Sequence, residues 1–295
     1  MNRGVLPIVV AAGILAGCAA GTHAPAPTAQ DPRIEGARRV AALAFAQGRH
    51  DQAVQLYARA LEFAQARDDG RALGDLGHDL AVVQLRRGDA TASLAAAAAA
   101  RAELLRHGLP AFPELALVEA VALHRLGRPR DAEALAGELA HDGAATGRRA
   151  RFLIGLIAAE RGDATGLAAA RAGLVPDADP EWRADDTELA ARAAALGGDH
   201  RAARTAFAAC IDLRRETRDY PGMARALAAA AASAQAMGER DEAAALYLRA
   251  GRSMVLSGGG ATRAEAWLSE AERLATQSGN RAVLADIAAL RARRD

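Results

Sequence analysis

The sequence predicts an all-α chain, a solenoid of stacked helical pairs, and three observations point there. Hydrophobic residues make up 51% of the chain but aromatics only 3%, so its core has to be built from Ala and Leu. Ala is the strongest helix former, and few segments show the β-branched alternation of strands. Glycines also recur between apolar helical stretches, at Gly48, Gly88, Gly127, Gly162, Gly198 and Gly238, spaced 40, 39, 35, 36 and 40 residues apart. A fixed period of this size is the mark of a repeat architecture.

Each glycine ends one helix by taking the left-handed conformation that other residues avoid. A short polar turn follows, such as Gly238-Glu239-Arg240-Asp241, and a second helix begins. Seven positions before each glycine lies a small residue: Ala41, Ala81, Ala120, Gly155, Ala191 and Ala231. Five after it lie Ala53, Ser93, Ala132, Leu167, Ala203 and Ala243. Small side chains at both places let the paired helices approach closely where they cross. Nine after the glycine, Tyr57, Phe207 and Tyr247 are large enough to fill the gap between helices. The fourth unit fits least, with Leu167 and Arg171 in place of the small and aromatic residues. A seventh, degenerate pair is expected over 261–276 and 281–293, turning at Gly279, since the ends of solenoids drift toward a polar outer face. Gly258-Gly259-Gly260 before it reads as a flexible linker.

The Gly48–Ala53–Tyr57–Ala60 and Gly238–Ala243–Tyr247–Ala250 spacings resemble those of tetratricopeptide repeats (TPRs). The consensus Trp and closing Pro of that family are absent, and most units here are longer than its usual 34 residues. The resemblance implies a right-handed α-solenoid of about six to seven helix-turn-helix repeats, with the first helix of each pair lining a concave groove. On that implication the candidate partner-binding groove carries Arg38, Phe45, His78, Arg86, His124, Arg149, Arg192 and Arg225, a polar surface of mixed charge. Arginines there can hold carboxylates in a two-pronged fork.

The N-terminus carries a different signal. Arg3 precedes an apolar run that ends in Leu15-Ala16-Gly17-Cys18. A basic start, an apolar stretch and small residues before a cut make a secretory signal. The stretch is too short to span a bilayer comfortably, which takes about 20 residues, and Pro7 interrupts it. The Cys after Leu-Ala-Gly resembles a bacterial lipobox, which implies removal of residues 1–17 and lipidation of Cys18. Residues 18–32, rich in Ala, Pro and Thr, read as a flexible tether, and residues 33–295 as the repeat domain. Ala19 stands where many inner-membrane lipoproteins have Asp, so the resemblance implies anchoring to the outer membrane, facing the periplasm, with the inner membrane as the alternative.

Chemistry is sparse. All 37 Lys+Arg residues are Arg, against 36 acidic residues, so there is no basic block of the kind that binds nucleic acid. Without Lys there is no phosphate-loop Lys and no Schiff base. Seven His residues lack metal-ligand spacing, and no Ser sits in a Gly-x-Ser-x-Gly turn. No metal site and no cofactor is expected. Once Cys18 is lipidated, Cys210 is left without a disulfide partner, and it reads as a packing thiol. Asp68-Asp69 and Asp185-Asp186 read as capping or solvated carboxylates, and Trp182 as a staple at a helix entry. These features favour a scaffold binding a protein or peptide partner at a membrane. The alternatives are a small-ligand or glycan binder in the groove and, least favoured, a hydrolase. Mass spectrometry of the mature N-terminus is expected to find acylated Cys18; a free thiol there, or a different first residue, defeats the anchor.

Overall fold

The computed structural model describes residues 31–141, 145–174 and 179–293. The signal segment 1–17, Cys18 and the tether up to residue 30 lie outside the described residues. The chain divides into two units after Asp31, and the repeat array belongs to the second, Pro32–Asp295. That unit holds fourteen helices among the described residues and no strand. None of these helices is long and apolar enough to cross a membrane.

The helices pair as the glycine spacing predicts. The pairs are α1 Pro32–Ala46 with α2 His50–Ala66, α3 Gly70–Arg87 with α4 Ala90–Arg106, and α5 Pro113–Arg125 with α6 Pro129–Leu139. Next come α7 Ala145–Arg161 with α8 Ala164–Ala172, and α9 Pro180–Leu196 with α10 His200–Glu216. The last are α11 Tyr220–Ala236 with α12 Arg240–Leu256, and α13 Ala261–Ser278 with α14 Arg281–Ala292. Every intrapair glycine has positive φ, from +73° at Gly48 to +96° at Gly88. Aspartates then start many of the next helices: Asp69, Asp89, Asp163, Asp199 and Asp219 each accept a hydrogen bond from the backbone N–H three residues on. Such caps satisfy amides that the first turn leaves open.

The small residues sit at the crossings. Ala41, Ala81, Ala120, Ala191 and Ala231 are fully buried, as are Ala53, Ser93, Ala132, Ala203 and Ala243. At Gly155 a Cβ would come within 2.5 Å of Leu189. Tyr57 and Phe207 fill interhelical gaps. The weak fourth unit has the shortest helix of the set, α8, with nine residues. In the terminal pair Ile287 and Leu290 are buried, with Leu284 packed beside them. Arg291 does not simply face water; it bonds Glu265 and Glu272 of α13.

The glycine loop before α13 differs from the expected linker. It is seated against the first two units. His50 Nδ1 lies 3.0 Å from the Gly258 carbonyl oxygen. A Cβ on Gly88 would come within 2.2 Å of Gly260 Cα. The end of α3 therefore meets the start of α13 backbone to backbone, and the stack of pairs curls until the two touch. Only glycine allows that approach. Gly48→Ala, with open space around it, is expected to cost about 1–2 kcal/mol from left-handed strain alone. Gly88→Ala should cost measurably more in chemical denaturation, because it also breaks the closure; equal costs would argue against the contact.

Candidate functional site

The curl brings the first helices of six pairs around one cavity of about 530 Å³. α3 contributes Val82, Leu85 and Arg86, and α5 contributes Val118, Val121, His124 and Arg125. Arg149, Phe152, Leu153 and Leu156 come from α7, Asp185 and Arg192 from α9, Arg225 and Ala229 from α11, and Arg263 and Trp267 from α13. Inward first helices are what the repeat geometry implies. Of the eight expected groove residues, Arg86, His124, Arg149, Arg192 and Arg225 line this cavity. The other three lie elsewhere in the array. Arg38 Nε donates to Asp79 at 2.9 Å, the Phe45 ring packs on His50, and His78 stands edge-on to Phe112.

The floor of the cavity is ionic and centred on Glu188, which is 0% exposed. Arg225 grips both its oxygens at 2.7 Å. Arg192 donates to Oε1 at 3.1 Å and Arg214 to Oε2 at 3.1 Å. Arg214, itself buried, also donates to Asp185 at 2.6 Å and to Asp219 at 3.0 Å. Phe152 lies beneath both Arg214 and Arg225, its ring centre 5.5 and 5.4 Å from their guanidinium carbons. Burial alone would raise the Glu188 carboxyl, but Arg225, then Arg192 and Arg214, hold it far below the usual carboxylate range. Asp185 goes the other way: burial pushes its carboxyl up and Arg214 offsets only part of that. Burial next to this centre, with the Glu188 charge added, pushes the Cys210 thiol up to about 12. Cys210 is free and buried, a packing thiol with little thiolate at neutral pH.

Around this floor the charges pair in turn. His124 Nε2 meets Glu160 at 2.7 Å. Arg86 lies 3.7 Å from Asp219. Arg149 donates to Glu181, and together with Arg148 it covers the face of Trp182, their guanidinium carbons 5.1 and 4.7 Å from its ring centre. Trp182 thus packs back onto α7 through cation–π contacts, worth about 0.5–2 kcal/mol each. Arg125 and Arg263 differ: among the described residues neither has a carboxylate at ion-pair distance. Arg125 donates to the Leu85 carbonyl.

Several expectations need correction here. Arg192 and Arg225 line the cavity and are at the same time partners of a buried carboxylate. Asp185 neither caps a helix nor faces water; it lies in the ionic floor. Asp69 does cap α3, while its neighbour Asp68 meets His107 at 3.0 Å. Arg214, Asp219, Arg263 and Trp267 line the cavity without having been expected there. Arg214 belongs to a second helix, which repeat geometry turns outward, and only its length carries it in. The Glu188 cluster did have a signal: opposite charges stand ten residues before Gly198 and thirteen before Gly238, inward positions of adjacent units. Among the described residues no group of three His, Cys, Asp or Glu could hold a metal ion.

No family model matches the chain, and no curated protein matches it in sequence. Solved structures do match. A tetratricopeptide repeat protein from Parabacteroides merdae covers 87% of this chain and 99% of its own, with TM-score 0.50 and 14% identity. The C-terminal part of a TPR repeat-containing protein from Cytophaga hutchinsonii reaches TM-score 0.43 at 14% identity over 80% of this chain and 94% of its own. The TPR2AB domain of yeast Sti1, in complex with pHSP90, reaches 0.36 at 16% identity over 87% and 96%. At these identities the likeness is one of fold, and the first match supports a TPR-like solenoid.

Breaking a buried ion pair by removing one partner typically costs about 3–5 kcal/mol. Glu188→Gln leaves Arg225 without its carboxylate and should lose about that much at pH 7 by chemical denaturation. A carboxyl held low in the fold contributes stability that is full above its unfolded pKa of about 4.3 and fades as pH falls through the lower folded value. Asp185, raised by burial, has the opposite sign and blunts the trend. The gap between wild type and Glu188→Gln should therefore narrow below about pH 4; a gap independent of pH would mean that Glu188 contributes by shape and not by charge.

Proposed function

We propose that the chain is a lipid-anchored scaffold of the bacterial cell envelope that binds a protein or peptide partner along the inner face of its first helices. The observation that carries this reading is the convergence of six first helices on one arginine-rich concave surface. Affinity on such a surface concentrates in a few anchors surrounded by near-neutral contacts, and guanidinium groups are apt anchors because they match carboxylates two-pronged. The membrane part of the reading rests on Leu15-Ala16-Gly17-Cys18. Several acyl chains on one Cys hold a protein stably at a bilayer, where a single chain holds it weakly. Ala19 favours the outer membrane with the domain in the periplasm; a partner there fits roles in envelope or secretion-complex assembly.

The test uses full-length protein in cells. Arg86 and Arg149 are exposed at the cavity mouth and outside the Glu188 cluster, so Arg86→Glu with Arg149→Glu should leave the far-ultraviolet circular dichroism unchanged. Crosslinking followed by affinity capture is expected to recover a partner with wild type and to lose it, by at least 10-fold, with the double variant. The same variant should still fractionate with the outer membrane, and Cys18→Ser should not. Undiminished capture by the double variant would remove the inner face as the partner surface, and recovery in the inner-membrane fraction would change the compartment.

A further inference from the structure

The charges of the cavity do not balance locally, and the imbalance has a place. Seven arginines line it among the described residues, against Glu160, Asp185 and Asp219, with Glu188 beneath. Those four carboxylates are already engaged: Glu188 by three arginines, Asp185 and Asp219 by Arg214, Glu160 by His124. Arg125 and Arg263 are left over. Arg125 is half-buried on α5, and Arg263, in the first turn of α13, is itself exposed at the edge of the cavity. Desolvation pushes the Arg125 guanidinium down to about 10, and Arg263, Arg225 and Arg86 press it the same way. Arg263 is lowered too, by desolvation first and then by Arg225. Asp219 offsets the Arg125 charge and Glu160 the Arg263 charge only from beyond ion-pair distance, so an anion placed between the two guanidinium groups would find two cations with free donors.

The rest of the wall is apolar. Val118, Val121, Leu153, Leu156, Ala229 and Trp267 face the same space. The backbone contact of Gly88 with Gly260 closes the ring of first helices between α3 and α13. The space is thus lined by helices on several sides and open to solvent on the rest. A cavity of about 530 Å³ lies in the range of about 300–1,000 Å³ that suits a small molecule.

We propose that this cavity binds a small organic anion with an apolar body, its carboxylate or phosphate held by Arg125 and Arg263 and its apolar part lying against Val121, Leu153, Leu156 and Trp267. Arginine forks fit both headgroups. The inference stands apart from the protein-partner reading, whose test is capture in cells.

Isothermal titration of the purified protein with octanoate and with octyl phosphate tests it, with octanol, inorganic phosphate and a Glu-rich hexapeptide as comparisons. At least one octyl anion is expected to bind 10-fold or more tightly than octanol and than inorganic phosphate; whichever anion binds more tightly identifies the headgroup. Arg263→Gln and Arg125→Gln should each weaken it at least 10-fold, with Arg263→Lys retaining part of the affinity. Without ligand, Arg263→Gln should melt no lower than wild type, since it removes repulsion from Arg225; this keeps the binding result readable if Arg125→Gln folds poorly. Octyl anions binding no better than octanol, or binding unchanged in Arg263→Gln, would overturn the proposal. So would inorganic phosphate matching octyl phosphate, which would remove the apolar part. The hexapeptide binding where both octyl anions fail would also overturn it, and would return the cavity to a protein partner.

Discussion

Close approach of helix backbones at alanine is the constraint on which this molecule rests. With so few aromatics, most units have no large wedge between their helices, Tyr57 and Phe207 being exceptions. Ala41, Ala81, Ala120, Ala191 and Ala231 bring the paired axes together, and the closeness makes many small contacts instead of a few large ones. Such packing tolerates little added volume. It also keeps each second helix near its first, so the angle between successive units is set by the few larger side chains, Tyr57, Phe207 and Leu189 among them.

The inner face follows from that curl. When first helices converge, the charges they carry converge too, and arginine is the only strong cation this chain uses. Arginine resists deprotonation and keeps five donors in a fixed fork, so it can be drawn into a floor of carboxylates without losing its charge. The ion pairs around Glu188 join α9, α10 and α11. They fix the register between two consecutive units where apolar packing alone, between near-uniform alanine surfaces, specifies it weakly. The charged floor and the paired rim thus belong to the architecture, while Arg125 and Arg263 have charge to spare.

The pairing of helices was legible because one local signal recurs: a glycine with positive φ, a small residue seven before it, another five after it. Those are requirements of turn and crossing, and they hold whatever surrounds them. The inward direction of Arg86, His124 and Arg149 followed from the repeat pattern in the same way. What could not be read was how far the stack curls. Gly258–Gly260 has the composition of a loose linker, and only its meeting with Gly88 and His50, some 170 to 208 residues distant in the chain, turns it into a contact. Arg263 and Trp267 of α13 enter the cavity for that reason. Asp185 resembles any acidic residue near a helix start until the guanidinium of another helix lies against it.

That meeting of α3 with α13 bears on how the chain comes apart. An open solenoid is close to a one-dimensional array, in which each unit is stabilised only by its neighbours and the ends can fray independently. Joining the second unit to the loop before the seventh adds a tie across most of the sequence. Its loop-closure entropy has to be spent before the contact yields anything, so the tie belongs late in folding and early in unfolding. Once made, it gives the first units and the loop before the last a direct contact that an open array lacks.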